Sequence, residues 1–302
     1  MEEDNYYFAI DKNEKCIFDF DKSYVKEYVS KDELKESGKA VILTPLLKPE
    51  LKDIRKNFKK QSIITKRSCL RKLGELELFR CQKHKNGNKW KMSLKKIGEF
   101  YDLQDYGNGD IDKDSDDRKR YESFKEFMTG ISEKKAIKYF RICSRQFHRN
   151  HFVYYSAEID GWKKKGDEPI EMNLQNMNMY ERLNYSSTFC TTFECALTNI
   201  ETIIFGFHGN NELQELEEYT IDELKNQVKF QATGNCYDVD KGLDVIDKIL
   251  RHLIKKFKKI SSELKRENFT LIINFDGEKC AQKLKLNESM SITDFLSYEV
   301  EK

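Results

Sequence analysis

The chain has 302 residues, 38% of them hydrophobic and 35% charged, with a formal net charge of +2. With 20 Phe and 15 Tyr, this composition supports a sizeable core under a heavily charged surface and excludes a disordered chain. No apolar run approaches the length of a membrane span, and the opening MEEDNYYFAIDKNEKC is acidic where a secretory signal is basic and then apolar, so an intracellular protein without a membrane partner is expected.

The first segment, YYFAIDKNEKCIFDF, alternates as one or two strands with a turn at 11–13. KPELKDIRKNFKK carries Leu51, Ile54, Arg55 and Phe58 at helical spacing, and a second helix is expected over 65–76. Residues 89–103 read as paired strands around a turn at 97–99. Residues 118–129 read as a helix with Tyr121, Phe124 and Met128 on one face. A Ser/Thr-capped helix is expected over 185–199, then the apolar strand TIIFGF and a turn at 208–211. LDVIDKILRHLIKKFKKI is the clearest helix, with Leu243, Ile246, Leu250, Leu253, Ile254 and Phe257 as its buried stripe. The strands FTLIINF and KCAQKLKL close a mixed α/β fold with mainly antiparallel or mixed sheets flanked by helices. No repeat, Pro-rich linker or low-complexity segment divides the chain, so 1–302 is read as a single domain.

Charge is unevenly spread along this frame. Residues 48–73 hold ten Lys or Arg against two acids, a stretch that suits phosphate contacts to a nucleic acid or a solvated helix face. Residues 102–118 hold seven Asp against two bases. Asp110, Asp112 and Asp114 fit positions one, three and five of a calcium loop, but Ser115 stands where Gly is needed and Tyr121 where the bidentate Glu belongs, so a surface loop is read. The eight cysteines, at 16, 69, 81, 143, 190, 195, 236 and 280, form no C-x-x-C pair, which argues for reduced thiols and against a zinc site. His148 and His151 lack a third ligand.

The segment YYSAEIDGWKKKGDEPIEMNL concentrates carboxylates. Glu158 and Asp160, two apart in an extended run, project to one face, and a hairpin turn at 163–168 brings Glu171 on the next run towards them. Such a trio suits a hard divalent cation such as Mg²⁺, although spacing alone favours an exposed strand face whose acids are neutralised by lysines.

The order of these segments resembles the decapping exoribonuclease (DXO) family, which acts on RNA 5′ ends. YFAIDKNEKCIFDFDKSYVKEY looks like the family's opening strands, and ITKRSCLRKL resembles its T-W-R-G-x-x-T-K segment. AEIDGW matches its E-h-D motif and IEMNL its E-h-K motif. TTFECALTNIETIIFGFHGNNELQELEEYTIDEL follows its later helix and strand. The resemblance implies that Arg67 helps hold the RNA 5′ end and that Glu158, Asp160 and Glu171 are metal-binding, catalytic acids for Mg²⁺ or Mn²⁺. It implies as partners RNA 5′ ends and a 5′-to-3′ exoribonuclease or another protein, and a nuclear or cytoplasmic location.

Three departures accompany it. The family's G-h-x-h-E motif falls on YESFK, so Lys125 replaces a metal-binding Glu and Tyr121 replaces Gly. Asn173 replaces the lysine of E-h-K, and Glu194 replaces a glutamine in the RNA-binding segment. Lys125 changes the charge beside any cation by two units, which weakens metal binding, and Asn173 removes a cationic donor. Glu122 or Glu126 could supply the missing ligand, although they leave the helix in other directions. The expected function is therefore RNA 5′-end or cap binding with a degenerate metal site and reduced or absent hydrolysis. The alternatives are an active Mg²⁺- or Mn²⁺-dependent decapping pyrophosphohydrolase and 5′-to-3′ exoribonuclease, or a generic metal nuclease acting on DNA.

Overall fold

The computed structural model describes residues 6–11, 16–17, 52–76, 89–106, 116–129, 136–147, 151–163, 168–176, 185–209, 212–231, 239–277 and 291–301. In chain order its elements are β1 (Tyr6–Asp11), β2 (Cys16–Ile17), α1 (Lys52–Arg55), β3 (Ile63–Lys66), α2 (Arg67–Gly74), β4 (Lys89–Ile97), β5 (Phe100–Asp105), α3 (Asp116–Thr129), β6 (Ala136–Phe147) and β7 (His151–Ile159). There follow β8 (Gly161–Trp162), β9 (Pro169–Asn176), α4 (Tyr185–Thr198), β10 (Thr202–Gly209), β11 (Glu212–Thr220), α5 (Ile221–Gln231), α6 (Val239–Leu264), β12 (Thr270–Asp276) and β13 (Leu296–Glu301). The fold is mixed α/β with two mixed sheets, as the sequence leads one to expect. The chain divides into two compact units, each assembled from three separate stretches.

The unit of residues 1–43, 112–142 and 157–231 holds a four-stranded sheet in the order β11-β10-β9-β8. TIIFGF forms the inner strand β10, parallel to β9 and antiparallel to β11, and is buried along its apolar run. Its alternate side chains face two cores. Ile203, Phe205 and Phe207 pack with Cys195 of α4 and Leu224 of α5, whereas Ile204 packs with Ile170, Met172 and Phe124 and Met128 of α3. Gly206 makes the α3 side possible, because a Cβ there would lie 2.6 Å from Phe124 Cε2. In the same unit β1 pairs antiparallel with β6, Tyr6 opposite Ile142.

The unit of residues 44–111, 143–156 and 232–302 carries neighbouring strands in the order β13-β12-β4-β5-β3-β7. β3 lies parallel to both β5 and β7, and the remaining pairs are antiparallel. Gly98, at φ 57°, turns β4 into β5. The long helix α6 buries Ile246, Leu250, Leu253, Ile254 and Phe257 as expected, joined by Val245 and Ile249, and Phe257 stacks on Phe269 at 4.3 Å. Leu243 is only half-buried.

Several boundaries differ from the sequence reading. The first basic helix stops at Arg55, and residues 56–58 turn away, with the Phe58 amide donating to the Arg55 carbonyl at 3.0 Å. Thr65 and Lys66 belong to β3 and not to the helix that follows, because Thr65 is tied across the sheet by its hydroxyl donating to the Leu103 carbonyl at 2.7 Å. Strands β3, β6, β11 and β13 and helix α5 add to the expected set. Asp110, Asp112 and Asp114, His148, the turn residues 12–13, 164–167 and 210–211, and the segment KCAQKLKL lie outside the described residues. Cys69, Cys143, Cys190 and Cys195 form no disulfide, and burial raises the Cys69 pKa to about 11, far from a reactive thiolate.

Candidate functional site: a lysine seated among carboxylates

Phe124 and Met128 anchor one face of α3 on the four-stranded sheet. Anchoring that face aims the neighbouring positions Tyr121 and Lys125, one helical turn apart, at the start of the β8–β9 hairpin. The residue pairs Gly161 with Ile170 and Trp162 with Pro169 set the hairpin register, and the Met172 backbone N–H, next after Glu171, reaches the Asp160 carboxylate. The sequence expectation that a hairpin brings the second acidic run to the first therefore has its physical basis in this register.

Asp160 is the hub. Its Oδ1 lies 2.6 Å from Lys125 Nζ. Its Oδ2 accepts the Met172 backbone N–H at 2.8 Å and the Tyr121 hydroxyl at 3.2 Å. The same hydroxyl lies 3.0 Å from the Met172 carbonyl, so its single proton is shared between two acceptors. Lys125 Nζ also donates to Glu158 Oε1 at 3.2 Å. The lysine and aspartate side chains are 13% and 3% exposed, and that of Glu158 is 28% exposed. Glu171 is buried, 3% exposed.

The charges interact as this packing demands. Burial alone would lower the Lys125 pKa, but the Asp160 and Glu158 carboxylates more than reverse it and hold the ammonium well above its ordinary 10.5. Burial, and then the negative charge of Asp160, raise the Tyr121 hydroxyl well above 10.0, with Glu171 and Glu158 adding to the shift and Lys125 opposing it. Lys125 is thus a fixed cation, neither a nucleophile nor a base, and Tyr121 is a fixed neutral donor.

The donor set does not fit a divalent ion. Both oxygens of Asp160 are engaged by protein donors, and among the described residues no group of three or more His, Cys, Asp or Glu side chains is arranged to hold a metal. Of the expected trio Glu158, Asp160 and Glu171, the first two lie against the Lys125 ammonium. Glu122 is half-buried on α3, and the Glu126 side chain lies outside the described residues.

The other motif positions fall on separate ground. Asn173 donates its amide to Ser187 Oγ at 3.2 Å and to Thr191 Oγ1, tying β9 to α4. Glu194 is half-buried on α4. Arg67, 9% exposed, is the first residue of α2 and belongs to the other unit. Sequence reasoning missed the roles of Tyr121, Ser187 and Thr191. The four-residue spacing of Tyr121 and Lys125 is the signal that could have joined the first of these to the acids.

No protein-family model and no curated protein matches the chain by sequence. The fold, however, is that of solved Rai1 and Dxo1 structures. Candida albicans Rai1, solved in complex with pU5 and Mn²⁺, aligns with a TM-score of 0.63 over 96% of this chain and 93% of its own at 14% identity. S. pombe Rai1 in complex with 3′-FADP gives 0.64 over 90% of each chain, also at 14% identity. K. lactis Dxo1 in complex with manganese gives 0.57 over 77% of this chain and 68% of its own at 13% identity.

Proposed function

We propose that this chain is a divergent member of the decapping exoribonuclease family that binds RNA 5′ ends and has lost metal-dependent hydrolysis. The shared fold and the chain-long order of family motifs support the family, and the pU5 bound to Candida albicans Rai1 supports an RNA 5′ end as ligand. The observation that carries the loss of chemistry is the seating of Lys125 against Asp160 and Glu158. Unit charges about 4 Å apart interact by roughly 4 kcal/mol at an effective dielectric near 20, so a cation entering this cluster must displace the ammonium or bear its repulsion. Asn173, held by Ser187 and Thr191, supplies no cation to orient a water or balance a leaving group.

In this reading Arg67 and the basic residues around it hold the 5′ end, and Lys125, Tyr121 and Asp160 keep the old reaction centre closed. The protein acts in the nucleus or cytoplasm, alone or beside a 5′-to-3′ exoribonuclease or another protein. The test is binding of 5′-phosphorylated and capped RNA, with and without Mn²⁺, alongside release of the 5′ end. Binding that falls as salt rises, is weakened by Arg67→Ala in a protein that still melts cooperatively, and is indifferent to Mn²⁺ is expected. Brisk wild-type hydrolysis abolished by Glu158→Ala would overturn the proposal.

A further inference from the structure

The basic stretch divides by burial. Arg67 is buried, whereas Lys52, Lys56, Lys59 and Lys60 are exposed on α1 and the turn that follows it. Against Lys59 lies a group of half-buried aromatic rings. Phe58 stacks on Tyr154 with centroids 3.8 Å apart and planes 7° apart, and meets Phe100 edge-on at 6.4 Å. Lys59 places Nζ 3.5 Å from the centroid of the Phe152 ring, and its backbone N–H donates to the Tyr154 hydroxyl at 3.2 Å. Phe152 and Tyr154 share one face of β7 because they are two apart, while Val153 and Tyr155 point into the core. Phe100, Phe152 and Tyr154 are therefore set by the sheet, and Phe58 and the lysines by α1 and the turn that follows it.

We propose that this surface, Lys52, Lys56, Lys59 and Lys60 with Phe58, Phe152 and Tyr154, docks a single-stranded RNA chain along its interior, independently of any 5′ end. Charge complementarity selects the occupant: residues 52–60 carry five basic side chains and one acid, Asp53, and even with Glu99 lying 2.8 Å from Lys60 the surface keeps an excess of positive charge that suits a line of phosphates. Aromatic faces interleaved with cations are what unpaired bases use for stacking, and every base offers such a face. A duplex presents its bases already stacked, and the four-residue helix α1 is too short to read a groove. The surface lies wholly in the unit that does not contain the carboxylate cluster.

The experiment uses the full chain and a circular single-stranded RNA, which has no 5′ end, beside a duplex RNA of the same length. Wild type is expected to bind the circle at low salt. Lys52→Gln, Lys56→Gln and Lys60→Gln combined are expected to reduce the slope of log affinity against log salt by about 2, at roughly 0.7 for each phosphate left without its lysine. Phe58→Leu, which keeps an apolar side chain against Tyr154, is expected to weaken the circle about fivefold or more and leave the duplex unchanged. No binding of the circle, or an unchanged slope in the lysine variant with an unchanged melting temperature, overturns the proposal. Equal affinity for the circle and for linear 5′-phosphorylated RNA would instead remove the 5′-end reading and leave this surface standing.

Discussion

Lys125 Nζ stands 2.6 Å from Asp160 Oδ1, and the partner oxygen of the same carboxylate is held by the Met172 amide and the Tyr121 hydroxyl. Both oxygens of the carboxylate thus have donors supplied by α3 and β9, with the cation covalently part of the chain. Removing one partner of a buried pair strands the other charge, which costs more than the pair itself contributes.

Lys125→Met should therefore lower stability by about 3–5 kcal/mol in urea unfolding, since the methionine fills similar space without compensating Asp160 and Glu158. Mn²⁺ should raise the melting temperature of this variant, because a cation that binds only the folded state stabilises it by mass action. It should leave wild type unmoved. An equal Mn²⁺ shift in both proteins would show that the ammonium does not fill the cation position.

Stability should also fall on the alkaline side. Lys125 and Tyr121 both have folded-state pKa values raised above their ordinary 10.5 and 10.0. Above about pH 10 the unfolded chain loses these protons while the folded one keeps them, so the folded state binds more protons and stability declines as pH rises. The contribution is intact below that range and is lost as pH climbs through the folded-state values. Denaturant midpoints between pH 9 and about 11 should drop more steeply for wild type than for a protein carrying Tyr121→Phe and Lys125→Met.

Much of this architecture was legible in sequence because local periodicity and burial agree. The stripe of α6 and the apolar run of β10 are each buried where their hydrophobic pattern lies. β11 was not legible, since ELQELEEYT lies at a sheet edge with only partial burial, and its charge masks the strand pattern. The early end of α1 depends on Phe58 finding Tyr154, nearly a hundred residues away, a contact that no helical spacing encodes. At the site, Glu158 and Asp160 could be paired from strand alternation and Glu171 added from the hairpin. Asp160's second oxygen was invisible to that reasoning because its donors are a backbone amide and a tyrosine from α3, distant in sequence.

Gly206→Ala tests how α3 is seated. The new methyl would meet Phe124 Cε2 at 2.6 Å and Cζ at 2.8 Å, on a ring packed in one cluster with Met172 and Ile204. Overpacking of this kind should cost about 1–3 kcal/mol. Phe124→Leu in the same protein should recover part of the loss, which a double-mutant cycle of unfolding free energies would measure as a coupling between the two sites. Additive effects would mean that Phe124 does not bear on the strand at Gly206.

Restoring the family pattern is the most demanding test of the degenerate centre. Lys125→Glu adds a carboxylate and removes the resident cation, so four acids, with Glu158, Asp160 and Glu171, then lack a counter-charge unless an ion enters. Apo protein should be destabilised and Mn²⁺ binding, read by calorimetry, should appear where wild type shows none. Asn173→Lys alone should lose the amide bonds to Ser187 and Thr191 and bring little metal affinity, because Lys125 still occupies the cluster. Together the two changes should raise release of RNA 5′ ends beyond the sum of the single effects, since ligand and orienting cation act on one transition state. Glu194→Gln should add to this by removing a negative charge from α4 that repels phosphate. A double variant that binds Mn²⁺ yet releases no 5′ ends would mean that the loss of chemistry extends beyond these two positions. One that binds no Mn²⁺ would mean that the backbone around Asp160, and not the lysine alone, has closed the site.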